Sequence, residues 1–407
     1  MSISVAEAGV TLADPTAYAD DERLHRALDL LRREAPVHWV TPPGYNPFWA
    51  ITRHADIREI ERRNDVFLSE PRPMLIPARQ DALAAENGRR QLLRPLAHLD
   101  DPEHRQMRSV TAAQFTPQSV ARLAPRIAGL ARRAVDRLAQ RTDTCEFVGE
   151  VCDVYALDVL LALLGLDESH ADEVRPFTPA ARRSLQPEQR IAAVRRFYTF
   201  FLELAADRRR RPTDDLASVI ANARLDGRLL DDHQMLSQFV ILVAAGHDTV
   251  SVTLAGGLRA LMENPGELRT LRADPAHLPT AVEEMIRWVT PVKAFMRTAR
   301  RDFPLGDVLI RAGDAVLLSY PSANRDESVF DDPHRFDVRR TPNRQLAFGH
   351  GAHHCLGASL ARLEIESFFA EFLPRLVSAE CVGAPAQLTT TFSGGLKRFP
   401  VRFVLTG

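Results

Sequence analysis

Lysine is almost missing from this chain. Only Lys293 and Lys397 occur, and the other basic residues are arginine, a bias that reads as codon usage rather than function. A surplus of either charge is missing too. The 52 basic residues stand against 53 acidic ones, for a formal net charge of -1, so no global field draws the protein to nucleic acid or to anionic lipid, and neither partner is expected. Cysteine is scarce. Cys145, Cys152, Cys355 and Cys381 form no CxxC pair and no dense framework, which excludes a disulfide scaffold, fits a reducing compartment and leaves at least one thiol available for chemistry. Apolar runs are short, the longest (159–166 and 239–246) falling far below the roughly 20 residues that span a bilayer. Residues 1–15 lack a basic segment followed by an apolar one, so no secretory leader is expected and the protein is read as cytoplasmic, without membrane contact. Linkers, polar tracts and internal repeats are missing as well, which predicts one domain over 1–407; with 45% hydrophobic and 26% charged residues, collagenous and disordered chains are excluded.

What is present changes character along the chain. The stretches Val37-His38-Trp39-Val40 and Phe48-Trp49-Ala50-Ile51-Thr52, separated by Pro and Gly, predict a β-hairpin. From about 102 to 288 the period is mostly helical, with Ala, Leu and Arg dominating. Residues 303–320 return to strands and turns, and 388–405 read as a closing hairpin around Gly394-Gly395. The class expected is mainly α with minor β, its β-containing parts roughly 36–70, 290–320 and 385–407 and its helical core roughly 102–288 and 355–377.

One helix stands out. Asp231-Asp232-His233-Gln234 offers a capping box, Asn264-Pro265 a stop, and about 30 residues between them make roughly 45 Å. Leu236, Phe239, Val240, Val243 and Ala244 mark its buried face. On the same line stand Gly246, His247, Asp248 and Thr249. A mid-helix Gly weakens the ladder by up to about 1 kcal/mol and a Thr hydroxyl competes for a backbone carbonyl. Taken alone, the stretch reads as a packing glycine beside an exposed Asp and Thr.

The strongest local signal is Phe348-Gly349-His350-Gly351-Ala352-His353-His354-Cys355-Leu356-Gly357. A glycine-punctuated loop delivers a Cys to the start of a helix whose core face runs through Leu356, Leu360, Leu363 and Phe368. Loop N–H groups and the positive helix end favour a thiolate, so Cys355 reads as a metal ligand or a nucleophile. A zinc site with His350, His353 and His354 is disfavoured, because neighbouring side chains splay apart and no second Cys/His pair follows at finger spacing. A catalytic Cys–His pair and a buried structural Cys stay open at this point.

These residues resemble the cytochrome P450 haem-thiolate monooxygenases in their soluble bacterial form. Residues 348–357 match that family's cysteine-ligand signature, and Ala245-Gly246-His247-Asp248-Thr249 its oxygen-activation motif. Glu284-Met285-Ile286-Arg287 match its Glu-x-x-Arg helix, Pro333-His334-Arg335-Phe336 supply the Arg that completes an ion-pair triad, and His104-Arg105-Gln106-Met107-Arg108 match its His-x-x-x-Arg propionate motif. Five motifs in the family's order cover the catalytic core.

The resemblance implies a triangular, mostly helical single-domain fold with small sheets, holding haem b between the long helix and the Cys loop. Cys355 is the implied iron ligand, its thiolate pushing electron density toward O–O cleavage. Phe348, Gly349, Gly357, Ala245 and Gly246 are expected against the haem, and His104, Arg108, Arg297 and His353 on its propionates. Glu284, Arg287 and Arg335 are expected to form a buried network that holds the ligand loop. Asp248 and Thr249 are the implied proton-delivery pair. Val292, Ala294 and Phe295 are expected to line the substrate pocket, with Lys293 turned to solvent or toward a polar substrate group. The implied reaction places one atom of O2 in a hydrophobic small molecule by hydroxylation or epoxidation. Its electrons come from NAD(P)H through a separate ferredoxin and ferredoxin reductase, since no flavin or iron–sulfur segment is present. Arg105, Arg122, Arg126, Arg339, Arg340 and Arg344 either form a basic docking face or are solvated helix faces.

The segment Ala323-Asn324-Arg325-Asp326 and residues 391–400 resemble bacterial members that oxidise sterols, terpenoids and lipids. The competing readings are tailoring of a polyketide or other secondary metabolite, and a haem-bearing scaffold without oxygenase activity. Asp248 and Thr249 argue against the scaffold, which needs no acid and alcohol beside an oxygen site.

Overall fold

The computed structural model describes residues 3–87, 93–178 and 186–406. Two compact units emerge, each assembled from interleaved segments: 1–91, 256–355 and 385–397 in the first, 92–255, 356–384 and 398–407 in the second.

The first unit is built on a five-stranded sheet. The predicted hairpin is its edge, with Val37–Val40 antiparallel to Phe48–Ile51. The order continues through Ala315–Ser319, parallel to Phe48–Ile51, then Ala294–Ala299 and Phe67–Leu68. Its two faces bury different cores. Ala50, Ala294, Met296 and Leu317 pack with Leu24, Leu28 and Leu31 of the helix Asp21–Glu34, while Ile51, Val316 and Leu318 pack with Ile57 and Ile60 of His54–Arg62. Strand alternation produces this split. The Asp21–Glu34 helix lies outside the helical ranges expected from the sequence; Asp20 caps it by accepting from the Arg23 N–H (3.0 Å).

The second unit is helical around the long helix Asp232–Glu263. The capping box forms as expected, Asp231 Oδ1 accepting from the Gln234 N–H (2.8 Å) and Gln234 Oε1 from the Asp231 N–H (3.1 Å). Leu236, Phe239 and Val243 are buried, with Phe239 stacked on Phe201 at 4.5 Å, while Val240 and Ala244 lie half-buried at the margin. The helix continues without a break through Gly246. Among the described residues it is the one helix long and apolar enough to cross a membrane, yet 56% of its most apolar window is buried inside the protein, the condition of a core helix.

Two sequence expectations give way. The 388–405 hairpin forms only in part: Ala386–Gln387 pairs with Leu396–Arg398 and the Leu388 N–H donates to the Gly395 carbonyl (2.9 Å), whereas Pro400–Leu405 pairs with Leu376–Cys381 and Cys145–Glu146. The reason is packing, because Phe403 finds Phe147 at 5.4 Å and Phe372 at 5.6 Å, a core that a local hairpin would not reach. The helical run 102–288 is also interrupted. Arg224–Leu225 and Arg228–Leu229 form a ribbon closed by Asp226 and Gly227, both at positive φ (51° and 79°), as a two-residue hairpin turn requires.

Candidate active site

In the first unit, residues 348–355 form a tight loop held by its own main chain. The Cys355 N–H donates to the Phe348 carbonyl (2.8 Å), His354 to Gly351 (3.1 Å) and Gly349 to Leu346 (2.9 Å). Gly349 and Gly351 both adopt φ of 67°, and a Cβ on Gly351 would stand 2.1 Å from the Glu61 carbonyl oxygen. Only glycine fits both demands. Cys355 is exposed and precedes Gly357, the residue that caps Ala358–Arg375, so it lies just ahead of the helix rather than in its first turn. Cys145 and Cys152 are buried, and burial pushes the Cys145 thiol up to about 12 and Cys152 well above the ordinary value, which makes both inert as thiolates. Cys381 is exposed but spends its S–H on the Gly383 carbonyl (2.9 Å).

The same unit holds the ion-pair network, and here the sequence reading is corrected. Glu284 and Arg287, on the helix Leu278–Val289, are fully buried and paired through two bonds of 2.7 Å. The third member is Arg340, not Arg335. Arg340 Nε donates to both Glu284 oxygens (3.2 and 3.1 Å), and Asn343 adds a further bond (3.1 Å). The Arg335 side chain is 57% exposed and stands 3.9 Å from Glu267; only its carbonyl joins, accepting from Arg287 (3.2 Å) and Arg340 (2.8 Å). The turn at 332–337 sends the Arg335 side chain outward, and the next cation along the chain that can reach Glu284 takes the position. Arg340 is therefore no part of a basic docking face.

Arg297, on the strand Ala294–Ala299, is buried and faces Glu61 and Tyr320. Its guanidinium donates to the Met296 carbonyl (2.8 Å) and stacks over Phe295 at 5.6 Å, and no other hydrogen bond to a described residue is formed. His353 Nε2 lies 3.2 Å from Ser69 Oγ. Phe348 sits 6.4 Å from the His354 ring.

In the second unit, His104 and Arg108 stand one turn apart on the helix Glu103–Ala112, His104 buried and within 3.6 Å of Asp101. The long helix exposes Ala245 and Gly246 at its middle, between buried residues, and a Cβ on Gly246 would meet nothing within 4 Å. Asp248 is buried, not exposed as the motif-free reading had it. His247 Nδ1 lies 3.1 Å from Asp248 Oδ1, and its Nε2 2.9 Å from the Asp153 carbonyl, which follows a π-helical turn at Val148–Cys152. Ser251 donates to the Asp153 carboxylate (2.5 Å). Thr249 donates its hydroxyl proton to the Ala245 carbonyl (2.7 Å), so toward a ligand its oxygen can only accept.

For the expected substrate lining, Val292 and Phe295 are half-buried, and Phe295 meets Phe392 at 5.3 Å and Tyr320 at 6.4 Å. Ala294 leaves the set, because strand alternation turns it into the core with Met296 and Leu317. Lys293 also departs from expectation: its Nζ donates to the Val289 carbonyl (2.8 Å), and burial lowers its pKa to about 8. Ala323-Asn324-Arg325-Asp326 is structural. Arg325 stacks on Trp288 (4.3 Å), and Asp326 accepts from the His54 N–H (2.8 Å). Residues 88–92 and 179–185 lie outside the described residues.

The sequence pointed to most of these positions but missed Glu61 and Tyr320, gave His247 no role of its own and read Arg340 as a surface cation. For Glu61 a signal existed: Ile57, Ile60 and Glu61 share one helical stripe, so a carboxylate stands where burial is expected.

The cytochrome P450 family model matches residues 178–381. Cytochrome P450-terp of a Pseudomonas species is 38% identical over 97% of this chain and 96% of its own length. The chain belongs to the cytochrome P450 family. The crystal structure of CYP108D1 from Novosphingobium aromaticivorans superposes with a TM-score of 0.91 at 36% identity, covering 98% of this chain and 99% of that one. A steroid C26-monooxygenase of Mycolicibacterium smegmatis is 32% identical over 93% of this P450 and 90% of its own length. The fold is thus the P450 fold, mainly helical with small sheets, and the activity is that of a haem-thiolate monooxygenase on hydrophobic substrates.

The residues present fit a haem iron. Porphyrin iron asks the chain for one axial thiolate, and the exposed Cys355 at the end of the glycine loop offers one. The buried Arg297 guanidinium keeps N–H groups for an anion such as a propionate. Gly246 leaves one helix face without side-chain bulk.

Proposed function

We propose that this P450 holds haem b through Cys355 and uses it to hydroxylate an apolar aliphatic compound of the sterol, terpenoid or lipid kind. The observation that carries the reading is the Cys355 loop, an exposed thiol delivered on a glycine-built turn. Bound haem supplies the oxidising chemistry, one atom of O2 going to substrate and the other to water. His104, Arg108, Arg297 and His353 would neutralise its propionates, which are costly to bury alone. Phe348, Gly349 and Gly357 would shape the thiolate side, and Ala245 and Gly246 the oxygen side. Thr249 Oγ1 accepts a hydrogen bond from water, and the Asp248 carboxylate passes protons to that water from its contact with His247. Val292 and Phe295 give the lining an apolar character, and the tie between Lys293 and Val289 keeps its charge out of it. The steroid C26-monooxygenase supports the substrate class. We place the enzyme in the cytoplasm and assign its electrons to NAD(P)H through a ferredoxin and its reductase.

The test is the carbon monoxide difference spectrum of the reduced protein, with Cys355→Ser beside the same change at Cys145, Cys152 and Cys381. The wild type shows the thiolate-type band, and only Cys355→Ser loses it. Loss through one of the other three, with the band kept in Cys355→Ser, overturns the assignment.

A further inference from the structure

Glu61 is a buried carboxylate that the oxygenase mechanism does not use. It lies in the last turn of the helix His54–Arg62 with 6% of its surface exposed and touches the Cys loop at two points. Its carbonyl lies against Gly351, and its Oε1 stands 3.2 Å from where a Gly349 Cβ would be. Oε1 accepts the Tyr320 hydroxyl at 2.7 Å, whereas Oε2 is buried without a hydrogen-bond partner. An ionised carboxylate with one bare, buried oxygen is costly, and a proton on Oε2 removes most of that cost.

The charges facing it are few. Arg297 comes from the strand Ala294–Ala299, Tyr320 from the short helix Tyr320–Ala323, and the His350 N–H from the loop itself. Arg58 and Arg62 of its own helix, with His54 and His354, act on the His350 ring. Burial raises the Glu61 pKa, and Arg297, Tyr320 and His350 pull it back, leaving it at about 7. Near neutral pH the group therefore exchanges its proton in response to small changes in local charge.

We propose that Glu61 is a proton-linked positioning residue of the Cys355 loop, binding one proton when the haem is reduced and releasing it on oxidation. This rests on the haem-thiolate reading above. Arg297 faces two anions, Glu61 and, on that reading, a propionate, and its one positive charge cannot satisfy both. Glu61 takes a proton from water onto Oε2 as an external donor adds one electron to the bound haem, which leaves Arg297 to the propionate. On oxidation the electron and the proton both depart. Glu61 acts through Arg297 and the loop main chain, and touches neither substrate nor oxygen.

The test is spectroelectrochemical titration of the purified holoprotein between pH 6 and 8. The wild-type midpoint potential falls as pH rises, because deprotonated Glu61 opposes the added electron. Glu61→Gln mimics the protonated acid, holds the wild-type low-pH potential across the range and keeps the thiolate-type carbon monoxide band, while Glu61→Asp keeps a pH dependence. Tyr320→Phe removes the donor that favours the ionised form and moves the pH-dependent window upward, which keeps the idea testable if Glu61→Gln fails to fold. A wild-type slope retained in Glu61→Gln, or a flat wild type, overturns the role of Glu61 and leaves the haem-thiolate reading intact. A wild type that takes up no haem overturns both.

Discussion

Replacing Arg340 by Ala and Arg335 by Ala separates the network seen in the structure from the one the motif implies. Arg340 is 9% exposed and gives up its charge-assisted bonds to Glu284 together with donations to the carbonyls of Asp331 (2.6 Å), Asp332 (3.2 Å) and Arg335 (2.8 Å). The three carbonyls belong to exposed residues and recover water; the loss at Glu284 is not recovered, because that carboxylate is fully buried. A hydrogen bond to a buried charge is worth about 1.5–3 kcal/mol, and Arg287 still neutralises Glu284, so Arg340→Ala should cost about 2–3 kcal/mol. Arg335→Ala removes an exposed contact of 3.9 Å and should cost less than about 1 kcal/mol. With an unfolding entropy of about 2.1 cal/mol/K per residue over 407 residues, the first lowers Tm by roughly 2–4 °C and the second by under about 1 °C. Arg340→Lys should rescue poorly, because an ammonium cannot reproduce the fork that spans Glu284 and the carbonyls. Urea unfolding read by tryptophan fluorescence is a suitable assay, since Trp288 lies 5.8 Å from the Arg287 guanidinium. An Arg335→Ala loss equal to or larger than that of Arg340→Ala would refute the assignment.

Two further outcomes follow from the site. Thr249→Ala should keep haem and NAD(P)H consumption but divert electrons to peroxide, whereas Asp248→Asn should slow oxygen-dependent turnover itself; product and peroxide formed per NAD(P)H consumed measure both, and unchanged coupling in Thr249→Ala would leave Thr249 with only its bond to Ala245. Charge reversal at the exposed Arg344 should slow reduction by an acidic ferredoxin at low salt, with the difference fading above 0.15 M, where the Debye length is about 8 Å, and with substrate binding unchanged; reduction insensitive to salt in both proteins would count against a docking role.

The sequence was most legible where chemistry forces a residue type. Gly349 and Gly351 are dictated by positive φ, Gly351 also by the Glu61 main chain beneath it, and the Asp231/Gln234 box by the donors of a helix start, so local spacing found both. It failed where partners come from far along the chain. Pro400–Leu405 alternates as any hairpin strand does, and only Phe147 and Phe372 decide that it pairs with Leu376–Cys381. Arg335 and Arg340 are the same residue type five positions apart, and the direction of one turn selects between them.

The same limit governs the polar centre of the long helix. A motif marks Asp248 and Thr249 but says nothing of which atoms donate. Thr249 has committed its proton to Ala245, so it can steady a proton-bearing water but cannot itself be the first donor. His247 lies between two acceptors, the Asp153 carbonyl at Nε2 and the Asp248 carboxylate at Nδ1. A neutral imidazole carries one N–H, and a carbonyl oxygen can only accept, so Nε2 holds that hydrogen. The contact at Nδ1 then needs a second proton, carried either by the ring or by Asp248. This is a property of hydrogen-bond direction, which residue spacing alone does not carry.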